Sequence, residues 1–128
     1  ISGSAYWVSI PNSAAETDYD AIIAGEVNTE ATVTTTLAAG YQMVTYPYPV
    51  ARSIRDMDLP GSIGDIVYQF NTGTGQYQTS EYKTYAAIVD GAPSFITGWA
   101  TDLSINVGEG FWFYNSITSK DWVANKPF

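Results

Sequence analysis

With 128 residues and a formal charge of −8, this chain is long enough for one domain with a buried core, and it is strongly acidic. Thirteen acidic residues stand against five basic ones, which excludes a basic groove for nucleic acid and disfavours binding to anionic membranes. The uncharged stretches are too short and too polar for a membrane span.

The sequence contains no His and no Cys, so the commonest general base, nucleophile and metal ligands are missing together. Paired carboxylates are the remaining route to a hydrolase or a calcium site, but acids two apart on a loop are usually solvated surface. We therefore expect no enzymatic activity, no cofactor and no bound metal. The carboxylate pairs considered are Asp18 with Asp20, Asp56 with Asp58, and Asp102 with Glu109.

The composition favours strands and turns. Aromatic residues reach 15% and charged residues only 14%, with Thr, Ser, Gly, Ala, Tyr and Asn making up much of the rest. This mixture predicts an all-β chain, folded as a single β-sandwich or jelly-roll-like domain with an extended N-terminal strand.

The N-terminal residues predict a short apolar strand over residues 4–10. Tyr6, Val8 and Ile10 alternate onto one side of this strand and Trp7 points to the other. Pro11 ends the strand, and the polar, acidic residues 12–21 form a linker. We thus predict an N-terminal extension (1–11), a linker (12–21) and a β-sandwich domain (22–128).

The next predicted elements follow in chain order. Residues 27–37 show the clearest period of two, and residues 41–46 form a second strand before a helical turn over 52–58. Ile66, Tyr68 and Phe70 share one side of a strand that ends in a glycine-rich hairpin turn at 71–75. The remaining predicted strands bring the total to eight to ten, and they are 77–88 (one strand or two), 95–99, 103–107, 110–115 and 121–124.

The segment 111–114 carries four aromatic residues in a row. Alternation places Phe111 and Phe113 on one side, and Trp112 and Tyr114 on the other. Such a strand is either covered on both sides or offers one aromatic side to a partner.

Residues 37–115 resemble a pattern found in secreted or cell-surface bacterial β-domains. That pattern has a Gly-aromatic-Asn strand with a following Pro, then Asp-x-Ile-x-x-aromatic, a Trp, and a Pro-Gly-Glu-Gly-Phe turn. The resemblance implies a β-sandwich without enzymatic activity and transfers no functional residues. This chain departs from it at Gln42 and Val107, and the matching segments are 37–42 with Pro47, 64–68, 98–99 and 108–113.

Secretion is also indicated by composition. The chain has few Lys and many Thr, Ser and Tyr, and it begins at Ile1 rather than at Met, which suggests a processed product. We expect an extracellular or cell-surface bacterial protein.

The favoured function is a structural subunit of an extracellular, pilus-like filament, a helical homopolymer that joins head to tail. The N-terminal strand of one subunit would complete the sheet of the next, and the alternative that it pairs within its own sheet stays open. The residues predicted to carry this contact are Ala5, Tyr6, Trp7, Val8 and Ile10 on the donor strand, with Trp112 and Tyr114 as acceptor or interface aromatics.

Two other functions remain open. A carbohydrate-binding module would stack a polysaccharide or glycan on Trp99, Trp112 and Trp122, although Trp is more often a core residue. A surface adhesin domain would use exposed Trp and Tyr to recognise a protein partner.

Overall fold

The fold is built from β-strands. The computed structural model describes residues 5–8 and 26–128, and in this part of the chain there is no helix. None of these residues therefore belongs to a helix long and apolar enough to cross a membrane. The strands are β1 (Thr32–Leu37), β2 (Gly40–Thr45), β3 (Arg52–Ser53), β4 (Ile66–Asn71), β5 (Gln76–Val89), β6 (Ala92–Trp99), β7 (Ser104–Ile105), β8 (Gly110–Asn115) and β9 (Lys120–Asn125).

The strands form two facing layers. The larger is an antiparallel sheet in the order β2-β8-β4-β5-β6, and the smaller is the antiparallel pair β1-β9. The two-residue strands β3 and β7 pair with each other as a short antiparallel ribbon beside these layers. This arrangement confirms the prediction of an all-β, sandwich-like domain.

Aromatic rings fill the space between the layers. Phe111 and Phe113 of β8 are buried, and their rings approach Trp122 at 6.2 Å and Trp99 at 6.0 Å between centroids. Strand alternation thus sends Phe111 and Phe113 to the core and leaves Trp112 and Tyr114 on the outer side, as predicted. The other buried apolar residues include Leu37, Val44, Ile54, Met57, Val67 and Ile105.

A buried ion pair ties the start of β4 to the start of β9. The Asp65 carboxylate is fully buried and accepts hydrogen bonds from the Lys120 ammonium, from the Ser62 N–H and from the Ser116 N–H and hydroxyl. Burial alone raises the pKa of Asp65, but these hydrogen bonds outweigh it, so the pKa is lowered. The carboxylate is therefore charged in the folded protein at neutral pH.

Two predicted elements differ from the structure. β1 begins at Thr32 rather than at 27, because its partner β9 ends at Asn125, opposite Thr32. The helical turn predicted over 52–58 is wrong: β3 is followed by a non-helical turn, and Asp58 has a φ of 57°, outside the helical region.

The predicted N-terminal strand is not formed within this chain, as far as it is described. Ala5–Val8 belong to no strand, and the rest of the predicted strand and the predicted linker 12–21 lie outside the described residues. The boundaries 1–11, 12–21 and 22–128 stay predictions.

Candidate assembly surfaces

Part of the outer side of the five-stranded sheet, on β2, β8, β4 and the start of β5, is a surface of aromatic side chains, which we call the aromatic face. The exposed Lys83–Glu81 ion pair lies beside it, on the same side of β5. Cross-strand pairing sets Tyr41 opposite Tyr114 and Tyr68 opposite Trp112. The rings touch along these rows, with centroids 4.8 Å apart for Tyr41 and Tyr114 and 6.0 Å apart for Tyr41 and Tyr68. The face consists of Tyr41, Met43, Tyr68, Phe70, Tyr77, Trp112 and Tyr114.

A shallow concavity lies within the aromatic face. It has a volume of about 400 Å³ and is lined by Tyr41, Tyr68, Tyr77 and Trp112, with almost no polar atom facing it. A hydrogen bond with Tyr41, together with burial, raises the pKa of the Tyr68 hydroxyl, so this ring stays neutral at neutral pH. An apolar group can therefore occupy the concavity without burying an unpaired charge.

The leading segment Ala5–Val8 lies against one end of this face. The Trp7 ring meets the Phe70 ring edge-on, with centroids 5.7 Å apart. Ala5 lies over Gly110, where a Cβ would come within 2.6 Å of the Ala5 Cβ. We call Gly110 and Phe70 the seat of the leading segment, since the missing side chain at Gly110 makes room for it.

Most of the leading segment is nonetheless in contact with solvent. Tyr6, Trp7 and Val8 are 76%, 56% and 79% exposed. Three consecutive large apolar residues with so much exposed surface form an incomplete contact within one chain.

The predicted interface residues can now be placed. The structure brings Ala5 and Trp7 onto the aromatic face that carries Trp112 and Tyr114, but the ring partner of Trp7 is Phe70. Ile10 lies outside the described residues. Sequence reasoning missed Gly110 and Phe70, because Gly110 looks like a turn glycine before an aromatic strand.

The tryptophans proposed as a sugar platform are separated by the fold. Trp99 and Trp122 are buried, and their indole N–H groups donate to the carbonyls of Leu59 (3.3 Å) and Met57 (2.8 Å). Buried indoles with satisfied N–H groups are core residues, so these two cannot stack a ligand. Of these three tryptophans, only Trp112 lies on an accessible surface.

A second apolar surface lies on the hairpin of β5 and β6, where residues 84–97 form what we call the arm. Ala86 pairs with Phe95 and Ile88 with Pro93, so these four share one side of the ribbon. Phe95 is 80% exposed and Ile88 70% exposed. The arm turns at Asp90 and Gly91, which both have positive φ (50° and 79°), typical of a type I′ hairpin turn.

The base of the arm is firmly held. The Arg55 guanidinium donates to the carbonyls of Trp99 (2.8 Å) and Ala100 (3.1 Å) and to the Tyr85 hydroxyl (3.2 Å). The Tyr82 ring occupies the space where a Cβ on Gly61 would lie. The arm therefore leaves the sandwich in a fixed direction.

Three of the carboxylates considered for catalysis or calcium, Asp58, Asp102 and Glu109, accept hydrogen bonds from other parts of the chain. Asp58 accepts hydrogen bonds from the Asn125 N–H (3.1 Å) and side chain (3.0 Å), and Glu109 accepts from Gln69 (2.9 Å) and the Asn106 N–H (2.8 Å). Within residues 5–8 and 26–128, no three acidic side chains cluster as a metal site would require. Asp18 and Asp20 lie outside this part.

Comparison of the chain with protein-family models, with curated proteins and with solved structures gives no match. The resemblance of residues 37–115 to secreted bacterial β-domains stays a prediction, and the functional argument depends on the surfaces themselves.

Proposed function

We propose that this protein is a non-enzymatic structural subunit of an extracellular bacterial filament, in which the leading segment of each subunit lies on the aromatic face of the next. The observation that carries the proposal is the position of Ala5–Val8. These residues contact the aromatic face through Ala5 and Trp7 and yet join no strand and remain largely exposed.

A contact made by a tethered segment within one chain can be exchanged between chains. Residues 9–25 connect Val8 to Glu26, and a chain of that length reaches at most about 60 Å when fully extended. The same Trp7–Phe70 and Ala5–Gly110 contacts can then form between neighbours, as in domain swapping. Because the segment and its seat are different surfaces, the contact is head to tail and propagates.

Exchange also allows the exposed residues of the segment to be buried. Tyr6 and Val8 lie mostly in solvent within one chain, and a second subunit can cover them. Complete burial of a large apolar side chain contributes about 1.5–3 kcal/mol. This contribution offsets part of the entropy lost when two subunits associate.

The charge distribution also favours a second subunit of this protein as the partner of the leading segment. Subunits that each carry a formal charge of −8 repel one another, which favours contacts through uncharged surfaces. The leading segment Ala5–Val8 and the aromatic face contain no charged side chain.

The chain offers a matched pair of variants that tests the seat. Gly110→Ala places a methyl group 2.6 Å from the Ala5 Cβ, and its next contact, the Val44 carbonyl at 3.7 Å, is an ordinary one. Gly98→Ala meets nothing within 4 Å, and neither glycine has a positive φ. We expect Gly110→Ala to stay folded and lose filaments, and Gly98→Ala to retain them, in negative-stain electron microscopy.

If Gly110→Ala forms filaments at the same protein concentration as the unchanged chain and Gly98→Ala, the leading segment does not use this seat. Circular dichroism of both variants separates a blocked seat from a damaged fold. Deletion of residues 1–11 provides the second test, because it should give a folded protein that forms no filaments.

A carbohydrate-binding module is the second candidate, and the accessible concavity of four aromatic rings is the observation in its favour. Sugar recognition needs polar groups that converge on the hydroxyls, and almost none face this concavity. An apolar protein side chain fits it better. Retention on insoluble cellulose or chitin that is lost in Trp112→Ala would instead support the carbohydrate module.

A further inference from the structure

The arm exposes an apolar side that no residue of the described ranges 5–8 and 26–128 covers. Ala86, Ile88, Pro93 and Phe95 lie together on this side, and Asp90 in the turn is the only charged residue among residues 84–97. An isolated two-stranded ribbon is only marginally stable in water, whereas a ribbon packed against another surface is stable. The arm therefore has the composition of a surface that is buried in an assembly.

Hydrogen bonds and side-chain packing hold the base of the arm in a fixed position. Arg55 binds the carbonyls at the end of β6, and Tyr82 packs against the bare backbone of Gly61. Thr84 and Thr97 share a hydrogen bond (2.8 Å between hydroxyl oxygens) across the first step of the arm. A projecting element with a fixed base loses little conformational freedom on docking, which favours specific association.

The low charge and the apolar character of the arm and the aromatic face favour a second copy of this chain as the partner. Two copies of an acidic chain repel each other least through surfaces of low charge, and the aromatic face and the arm are two such surfaces. The concavity of the aromatic face has room for Phe95, since a cavity of about 150 Å³ already holds a benzene ring and this one measures about 400 Å³. The concavity is thus large enough and apolar enough to accept the Phe95 ring.

We propose that the arm docks on a second copy of this chain, with Phe95 entering the concavity lined by Tyr41, Tyr68, Tyr77 and Trp112. Ile88 packs beside Phe95 against the rings at the rim. This inference rests on the proposed filament, and it assigns to that filament a second contact, separate from the leading segment.

Cysteine crosslinking tests this contact cleanly because the chain has no Cys. Ala86→Cys marks the arm beside Phe95, and Thr79→Cys marks the aromatic face beside Tyr68, so both leave the docking rings intact. The control is Thr34→Cys, an exposed position on β1 in the other layer. The two preparations are mixed under assembly conditions, mildly oxidised and analysed on a non-reducing gel.

We expect the Ala86→Cys and Thr79→Cys chains to crosslink at least about tenfold faster than Ala86→Cys with Thr34→Cys. Adding Phe95→Ser to the Ala86→Cys chain should remove this advantage, since burial of the ring drives the contact. Equal crosslinking rates, or a rate unchanged by Phe95→Ser, would overturn the inference.

The outcomes separate this inference from the proposed function. Filaments without preferential crosslinking leave the function standing and overturn the arm contact. Preferential crosslinking into closed dimers without filaments supports the arm contact and contradicts the filament. Phe95→Ser could instead leave the crosslinking rate unchanged and abolish retention on cellulose or chitin. This result would assign the arm to a polysaccharide and overturn the inference.

Discussion

Trp99 and Phe95 lie on the same strand, β6, and point to the same side of it, yet they have opposite surroundings. Trp99 is buried against Phe113, with ring centroids 6.0 Å apart, whereas Phe95 is 80% exposed. Alternation along a strand determines the side that a residue faces, but the extent of the facing layer determines whether that side is buried. The body of the sandwich buries its rings, and the arm leaves Phe95 exposed to solvent.

The largest effect is expected when Trp99 and Phe95 are each replaced by Ala and the two losses of stability are compared. Trp99→Ala should lower the free energy of unfolding by about 3–5 kcal/mol, because it leaves a cavity in the core and an unpaired Leu59 carbonyl. Phe95→Ala should change it by less than about 0.5 kcal/mol, as is usual for exposed sites. Urea denaturation of the monomers measures both, and similar losses would show that the arm is part of the core.

The buried ion pair should have the next largest effect. Asp65→Ala leaves Lys120 without its carboxylate and removes the acceptor for Ser62 and Ser116, so we expect a loss of about 3 kcal/mol in unfolding free energy. Lys83→Ala is the matched control, because the Lys83–Glu81 pair is exposed to solvent. A loss below about 1 kcal/mol in Asp65→Ala would contradict the structural role of the pair.

The pH dependence of stability follows from the same group. The pKa of Asp65 is lower in the folded than in the unfolded protein, so its contribution is fully present above the unfolded pKa, about 4, and is lost as the pH falls through the folded pKa. The melting temperature should therefore fall on acidification below about pH 4. The decline should be shallower in Asp65→Ala, and parallel declines would assign the effect to other carboxylates.

A smaller effect is expected at the base of the arm. Arg55→Lys keeps the charge but loses the planar fork that reaches Trp99, Ala100 and Tyr85 together. We expect a cost of about 1 kcal/mol in unfolding free energy and faster amide hydrogen exchange in the arm than in β8. Unchanged exchange in the arm would show that Arg55 does not fix its direction.

Much of the fold could be predicted from the sequence, because alternation and turn residues are local properties. The split of Phe111 and Phe113 from Trp112 and Tyr114 is confirmed, and so is the hairpin turn at 71–75. The early start predicted for β1 failed because the period of two continues over residues 27–31, where the structure, as far as it is described, places no partner strand. Pairing partners are a property of the whole fold.

The candidate surfaces were less accessible to sequence reasoning. Ile88 and Phe95 show the same alternation as core strands, and only the size of the opposing layer reveals them as exposed. The Asp90-Gly91 turn between two apolar segments was the available indication of the hairpin. Gly110 gave no indication, since its role depends on Ala5, more than a hundred residues away in the chain.

The central claim is tested most directly by mixing two variants. One can only donate the leading segment, and the other can only accept it. The Gly110→Ala chain keeps its leading segment but has a closed seat, and the chain without residues 1–11 has an open seat but no segment. At a protein concentration too low for the arm contact to join either chain alone, sedimentation velocity of the equimolar mixture should show a complex of one copy of each. A mixture that sediments as two independent monomers would contradict the transfer of the leading segment between subunits.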